Sequence, residues 1–444
     1  MRVPPLVAGG LPYLGNAYAF NRNPIAFLQT AHARHGDVFR FRLLGNTVYA
    51  LLSQAGNEAF FRASDDVLDP REAYRFTIPI FGPGVAYDVA PEIMQQQLSL
   101  LHPALRDEAM QRYASIMAEE VELFVRGLGE IGDIDLPGAL NELTIFIAGR
   151  CLLGDNFRDR LSKEFASLYE DLEGGINLIA FIAPRAPTLK NLRRDRARAR
   201  VAEMVSWLIA ERRDGACDRN DFLSVLMSAR YDDGSYLSDE VITGLLLTLL
   251  FAGQHTSAVM ATWLGVLLIK NPRHAAAIRD EALLALKDGI TIAGLKRMRL
   301  MERCLKEAER LYPPLIMLMR RTRAAFAVGD IIVPSGQLVM VSPGVSHRDS
   351  RIFHNPDTFN PDRFAPPREE DRKSQYSLIG FGGGRHRCIG MAFAHQQIKV
   401  IWSILLQRYE FELGDHPVEP DYATFVVGPK QPCRVRYRRH REAR

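Results

Sequence analysis

Apolar positions recur with a period near 3.6 residues over 103–126, 139–153, 160–173, 191–213, 238–271, 273–287, 300–311 and 391–408, which predicts helices there. Two short stretches follow a different pattern. Phe39, Phe41 and Leu43 alternate with Arg40 and Arg42, and Gly45-Asn46 supplies a turn before Val48-Tyr49-Ala50-Leu51. A hairpin is predicted across Val38 to Ser53. From Phe326 to Val341, Gly329-Asp330 and Pro334-Ser335-Gly336 break short apolar runs into a second small β region. No internal repeat, low-complexity tract or long linker intervenes. The expectation is a mainly α fold with minor β, organised as one unit over 1–444, with its β-rich parts near 36–60 and 320–345.

One predicted helix is apolar all round. Val241 to Ile269 carries no charged side chain, and about 20 apolar residues suffice to cross a bilayer. Gln254-His255-Thr256-Ser257 sits in its middle, where polar groups are costly in lipid. A central helix of a large protein fits the run better. A second apolar stretch, 176–184, lies between two helical patterns. It reads equally as a short core helix or as a lid over an apolar pocket that rests on a membrane surface.

Composition changes this picture little. The chain is 47% hydrophobic with a formal net charge of +4, too small to suggest a nucleic-acid partner. Positive charge gathers at Arg193–Arg200 and along the tail Arg434–Arg444. Both read as solvated faces, with a docking surface for an acidic redox partner as the alternative. Five scattered cysteines, Cys151, Cys217, Cys304, Cys388 and Cys433, suggest a reducing compartment without a disulfide framework. The Pro/Gly-rich start from Pro4 to Gly15 reads as irregular chain rather than as a leader or anchor.

The chemistry concentrates in Phe381-Gly382-Gly383-Gly384-Arg385-His386-Arg387-Cys388-Ile389-Gly390, followed at once by a helical pattern. Three glycines permit a tight turn and close approach to a flat ligand. A cysteine just before a helix favours the thiolate, and a thiolate can hold haem iron. The decamer, 381–390, resembles the cysteine loop of cytochrome P450 enzymes. Glu307-Ala308-Glu309-Arg310 and the arginine of Phe359-Asn360-Pro361-Asp362-Arg363-Phe364 resemble that family's buried Glu307–Arg310–Arg363 support. Ala252-Gly253-Gln254-His255-Thr256-Ser257 is similar to its oxygen groove, with His255 where an acidic residue is common.

The segment from Tyr74 to Asp88 (Tyr-Arg-Phe-Thr-Ile-Pro-Ile-Phe-Gly-Pro-Gly-Val-Ala-Tyr-Asp) resembles the sterol 14α-demethylase signature over the roof of the active site. The likeness runs from Gly36-Asp37-Val38-Phe39 to the Val435–Arg439 tail. It implies the cytochrome P450 fold, a triangular helical prism around a buried haem b. Cys388 would be the axial ligand, Tyr74, Arg320 and His386 would contact the propionates, and Thr256 with His255 would relay protons. Phe76, Phe81, Tyr87, Ala252, Leu315, Ile316, Met317, Phe425 and Val426 would line the substrate pocket, and Phe76 goes with substrates lacking one C4 methyl. A departure stands at Gln95-Gln96-Gln97, where the family usually has a basic residue.

The reaction implied is removal of a sterol 14α-methyl in three oxygenations, with O2 as co-substrate. Electrons from NAD(P)H would arrive through a ferredoxin or a flavodoxin/reductase, since the chain carries no flavin, nicotinamide or iron–sulfur motif. The chain is expected to be a cytoplasmic monomer, with peripheral membrane contact and an anchor removed upstream of Pro4 as the alternatives. Competing readings are a monooxygenase for another apolar substrate, such as a fatty acid or terpenoid, and a non-catalytic haem-thiolate protein.

Overall fold

A computed structural model describes residues 2–214 and 222–441. Cys217 and the last three residues of the basic tail lie outside them. By its contacts the chain divides into two compact units. The first is Met1–Ala73, Arg299–Cys388 and Pro417–Lys430; the second is Tyr74–Met298, Ile389–His416 and Gln431–Arg444.

The first unit is built on a sheet whose strand order is Val38–Leu43, Asn46–Leu51, Leu338–Val341, Leu318–Thr322 and Leu68–Asp69. The predicted hairpin forms with Phe39 opposite Ala50 and Phe41 opposite Val48. Both phenylalanines are fully buried, and the alternating arginines take the other face, as strand pleating requires. The second β region splits into Phe326–Val328, Ile331–Val333 and Leu338–Val341. Phe60 and Phe61, on the helix Gln54–Arg62, pack on Leu51, Leu68, Val339, Val341, Tyr376 and Ile379. Ser53 caps that helix by accepting from the Gly56 N–H at 3.2 Å.

Among the described residues the second unit is helical apart from one small sheet. Its longest helix, Asp239–Lys270, starts at the Ser238 cap with Asp239 and Glu240 in its first turn, complementing the helix dipole. Its side chains from Ser257 to Leu268 are buried. Gly265 allows Trp402 of the helix Met391–Arg408 to lie against it, because a Cβ there would sit 2.0 Å from the indole. The Trp402 Nε1–H donates to the Ala261 carbonyl at 2.8 Å. Among the described residues two helices, Leu136–Leu153 and Asp239–Lys270, are long and apolar enough to cross a membrane. Most of the apolar window of each is inside the protein, as in a core helix.

Most arginines of the two basic clusters are solvated, as expected: Arg193, Arg196, Arg200, Arg434, Arg436 and Arg438 are exposed. Arg434–Arg439 is the middle strand of a three-stranded sheet between Ile131–Asp135 and Tyr409–Leu413. Val435 and Tyr437 point inward there, and the arginines alternate outward. In the other cluster Arg194 is 1% exposed. Its charge is met by Asp195 Oδ1 and the Pro184 carbonyl, which makes burial tolerable. The stretch 176–184 holds a short helix, Leu178–Ile182, with Ala180 buried and Ile179 and Ile182 exposed. It is therefore neither wholly core nor wholly loop.

Candidate functional site

In the first unit the chain turns back on itself after Phe381. The Cys388 N–H donates to the Phe381 carbonyl at 2.9 Å, and Gly384–His386 forms one 3-10 turn between them. Gly382 and Gly384 have φ of +70° and +60°, where a side chain would be strained. Two of the glycines make room for protein rather than for a flat ligand. A Cβ on Gly384 would lie 2.2 Å from the Phe61 carbonyl oxygen, and one on Gly383 would lie 2.9 Å from the Phe61 ring. The loop is thus pressed onto Gln54–Arg62, and Cys388 at its end is exposed.

Basic groups gather beside this loop. His386 Nε2 lies 2.6 Å from Asp65 Oδ1, and Arg385 lies 3.5 Å from the other Asp65 oxygen. Burial lowers the His386 pKa below its ordinary value; Asp65 opposes this and Arg320 adds to it. Arg320, on Leu318–Thr322 and 3% exposed, donates to the Phe60 carbonyl at 3.0 Å and stacks over the Phe60 ring. Asp65 gave no signal in the sequence, because its partner is 321 residues away.

Glu307, Arg310 and Arg363 come together with no exposure at all. Glu307 accepts from Arg310 at 2.7 and 2.9 Å, from Arg363 at 3.0 Å and from the Asn360 N–H at 2.8 Å. The remaining guanidinium donors reach the carbonyls of His347, Pro356, Thr358, His354 and Asn355. Glu370, which the sequence reading missed, adds a carboxylate 2.8 Å from Arg363. Every partner of a buried charge is supplied, the condition under which such a cluster is tolerated.

Two neighbouring backbone amides before the loop are also held by buried titratable groups. His347 Nε2 accepts from the Ile379 N–H at 2.8 Å, and burial pulls its pKa down to about 3. The Glu309 carboxyl takes the Gly380 N–H, and burial pushes it up to about 8. Nearby, the Val427 N–H donates to the Pro314 carbonyl at 2.8 Å. Of the flanking residues, Ile316 is buried, and Leu315, Met317, Phe425 and Val426 are half-buried.

In the second unit the segment 74–88 is a chain of short turns tied by aromatic contacts. Tyr74 stacks on Tyr87 at 5.1 Å, Phe76 meets Phe181 at 5.6 Å and Phe81 meets Phe251 at 5.9 Å. Phe76 and Phe81 are buried, Tyr74 and Tyr87 half-buried. Gln97 is 1% exposed. Its Nε2 donates to the Gly84 carbonyl at 2.7 Å and the Tyr231 hydroxyl at 3.0 Å, and its Oε1 accepts from the Ala86 N–H at 3.3 Å. A neutral amide clamp on the roof segment therefore stands within the run where a basic residue was expected.

The oxygen-groove residues lie on Asp239–Lys270. Thr256 Oγ1 donates to the Ala252 carbonyl at 2.6 Å, and a Cβ at Gly253 would meet nothing within 4 Å. Ala252 is exposed and Thr256 half-buried, so the helix face is open there. His255 Nδ1 is 2.8 Å from Glu173 Oε1, at charge-pairing distance but off the line of a hydrogen bond. Their side chains are 19% and 31% exposed. Glu173 was not foreseen either, since it sits on the separate helix Asp155–Gly174. Gln254 turns the opposite way and donates to the Asn141 carbonyl at 3.2 Å.

The donor set suits haem. The first unit offers an exposed cysteine at the end of a tight loop, with the Arg320 guanidinium and the His386 ring as charge and hydrogen-bond partners for two carboxylates. The comparisons with known proteins agree over nearly the whole length. A family profile for Cytochrome P450 matches residues 4–435. A sterol 14-demethylase of Arabidopsis thaliana is 38% identical over 99% of this chain and 92% of its own. A sterol 14alpha-demethylase of Mycobacterium tuberculosis is 40% identical over 98% of both. The solved structure of retinoic acid-bound cyanobacterial CYP120A1 superposes with a TM-score of 0.88 over 99% of both chains at 23% identity, which shows the fold. With loop, charge network and groove present in one chain that matches from end to end, this protein belongs to the cytochrome P450 family.

Proposed function

We propose that this cytochrome P450 removes the 14α-methyl group of a sterol by successive oxygenations. The observation that carries the reading is full-length similarity, at 38–40% identity, to sterol 14-demethylases. Haem b is the cofactor, dioxygen the co-substrate, and NAD(P)H-derived electrons arrive through a partner protein. Haem supplies oxygen activation and redox chemistry when bound.

The protein's own residues bind, orient and move protons. Cys388 would hold the haem iron through its thiolate, and Arg320, His386 and Tyr74 would receive the propionate carboxylates. Phe76, Phe81, Tyr87, Ala252, Leu315, Ile316, Met317, Phe425 and Val426 surround the apolar substrate, excluding water and presenting one methyl group for attack. Thr256 Oγ1 is held by the Ala252 carbonyl and keeps its lone pairs for a proton donor. His255 and the more exposed Glu173 form the outer part of that proton route. Glu307, Arg310 and Arg363 are structural.

The same reading makes the enzyme a cytoplasmic monomer served by a ferredoxin or flavodoxin-type donor. Exposed Ile179 and Ile182 support peripheral contact with a membrane. The test is a titration of haem-loaded protein with 14α-methyl sterols, followed by product analysis. A saturable Soret shift and a 14-demethylated product are expected. A shift with fatty acids or terpenoids and none with any such sterol would overturn the assignment.

A further inference from the structure

The chain enters the cysteine loop through Ile379 and Gly380, and each of these amides is held by a side chain that the proposed demethylation does not use. His347 Nε2 accepts from the Ile379 N–H at 2.8 Å, and the Glu309 carboxyl accepts from the Gly380 N–H. The next two bonds belong to the loop itself. The Gly382 N–H donates to the Ile379 carbonyl and the Cys388 N–H to the Phe381 carbonyl, both at 2.9 Å. Residues 379–381 are therefore the base of the loop, and what fixes them fixes the backbone that carries Cys388. Glu309 lies flush against that base. A Cβ on Gly380 would sit 2.5 Å from Glu309 Oε1 and 2.6 Å from its Cγ, so the carboxyl can reach this amide because the residue is glycine.

Glu309 is also a buried acid without a counter-ion. It lies on the helix Arg299–Leu311, is 4% exposed and makes no ion pair among the described residues. Lys306 faces it from one turn earlier, but the Lys306 Nζ is committed to Asp371 Oδ2 at 2.7 Å. Glu302 on the same helix repels a negative charge there, and Arg387 from the loop attracts one. His347, on the neighbouring amide, is held neutral by burial. Burial outweighs the two cations and pushes the Glu309 carboxyl up to about 8. Its charge bears on the haem. Reduction adds one negative charge to the haem and its thiolate, and a carboxylate behind the same loop, in a medium of low dielectric, opposes that addition.

We propose that Glu309 is a positioning residue for the cysteine loop whose proton makes haem reduction pH-dependent. As the neutral acid it gives Gly380 an acceptor and adds no charge. Where it is ionised, one proton from solvent joins the carboxylate as one electron from the donor protein enters the haem, and the neutral acid is restored. The inference rests on the haem-thiolate assignment and is independent of the substrate.

Substrate-free, haem-loaded protein is titrated spectroelectrochemically with dithionite at several pH values from about 6 to about 9. Glu309→Gln keeps an acceptor for Gly380 and cannot ionise. Its potential should match the wild type at the acid end and separate from it above the carboxyl's range. Across the series the wild-type equilibrium constant for reduction is expected to fall further than the variant's by about threefold or more. Glu309→Leu removes the acceptor and leaves the Gly380 N–H unmatched, so haem should pass to apomyoglobin about tenfold faster than from Glu309→Gln. Parallel pH profiles for the wild type and Glu309→Gln would overturn the proposal, as would equal haem loss from the Gln and Leu variants.

Discussion

At Thr256 the hydroxyl proton is already committed to the Ala252 carbonyl at 2.6 Å, so the oxygen acts first as an acceptor. Removing it should not stop electron uptake but should waste electrons. Thr256→Ala is expected to lower product per electron consumed by roughly a hundredfold, the lower edge of what a positioned proton-transfer group contributes; product and reductant are measured together. Equal coupling in the variant would remove Thr256 from the relay. Glu173 is 2.8 Å from His255 and more exposed, which makes it the solvent end of the same route. Glu173→Gln keeps the shape and loses the basic site. Turnover should fall, by less than the roughly hundredfold of a group that transfers the proton directly, with a larger solvent isotope effect, while the sterol-induced spectral shift stays as it is. A variant with wild-type turnover and isotope effect would place the proton route elsewhere. The motif made Thr256 and His255 legible in the sequence. Glu173 was not, because only the packing of two separate helices brings it to them.

Among elements, the helix Arg299–Leu311 does most of its work through one buried face carrying Glu307, Glu309 and Arg310. Glu307 serves two guanidinium groups at zero exposure. Glu307→Gln leaves Arg310 without a counter-charge and Arg363 with Glu370 alone, and the cost of breaking such a cluster is about 3–5 kcal/mol. A denaturant midpoint well below wild type, with early haem loss, is the expected outcome; an unchanged midpoint would deny the network a structural role. The glycines of the cysteine loop pose a different demand. Gly384→Ala would set a methyl 2.2 Å from the Phe61 carbonyl oxygen at φ +60°, so the loop must move. Weaker haem retention is expected, read from the haem-to-protein absorbance ratio. Predicted helices of a dozen residues or more appear close to their periodic stretches. Short ones such as Ala17–Arg22 and Gln54–Arg62 were unforeseen, since few turns give little periodic signal. The three-stranded sheet was missed as well. Its strands come from 131–135, 409–413 and 434–439, and pairing at such separations leaves no local mark.

For the molecule as a whole, two buried groups set opposite pH limits. His347 is held neutral in the fold, its pKa pulled down to about 3 by burial. The unfolded chain binds that proton from its ordinary 6.5 downward, so stability falls as pH drops from 6.5 towards 3. Glu309 is pushed up to about 8 from 4.5. The fold therefore keeps a proton that the unfolded chain has lost, and stability falls as pH rises from 4.5 to 8. Each contributes up to ~1.4 kcal/mol per pH unit within its window. Glu309→Gln should flatten the loss of stability between pH 4.5 and 8, read from denaturant midpoints at several pH values; an equal slope in both proteins would show that other groups set it. Neither role was readable from sequence, where both residues pass as ordinary polar positions. What the sequence determined by itself is local: long helices from periodicity, the Phe381–Gly390 loop and the Thr256 groove from residue order, and thiolate chemistry from the cysteine among glycines. What only the tertiary structure decided is long-range: Asp65 beside His386, Glu173 beside His255, Gln97 clamping the roof segment, and Glu309 on the Gly380 amide. Those pairings depend on how separate elements pack, and neither periodicity nor spacing along one chain encodes which surfaces meet.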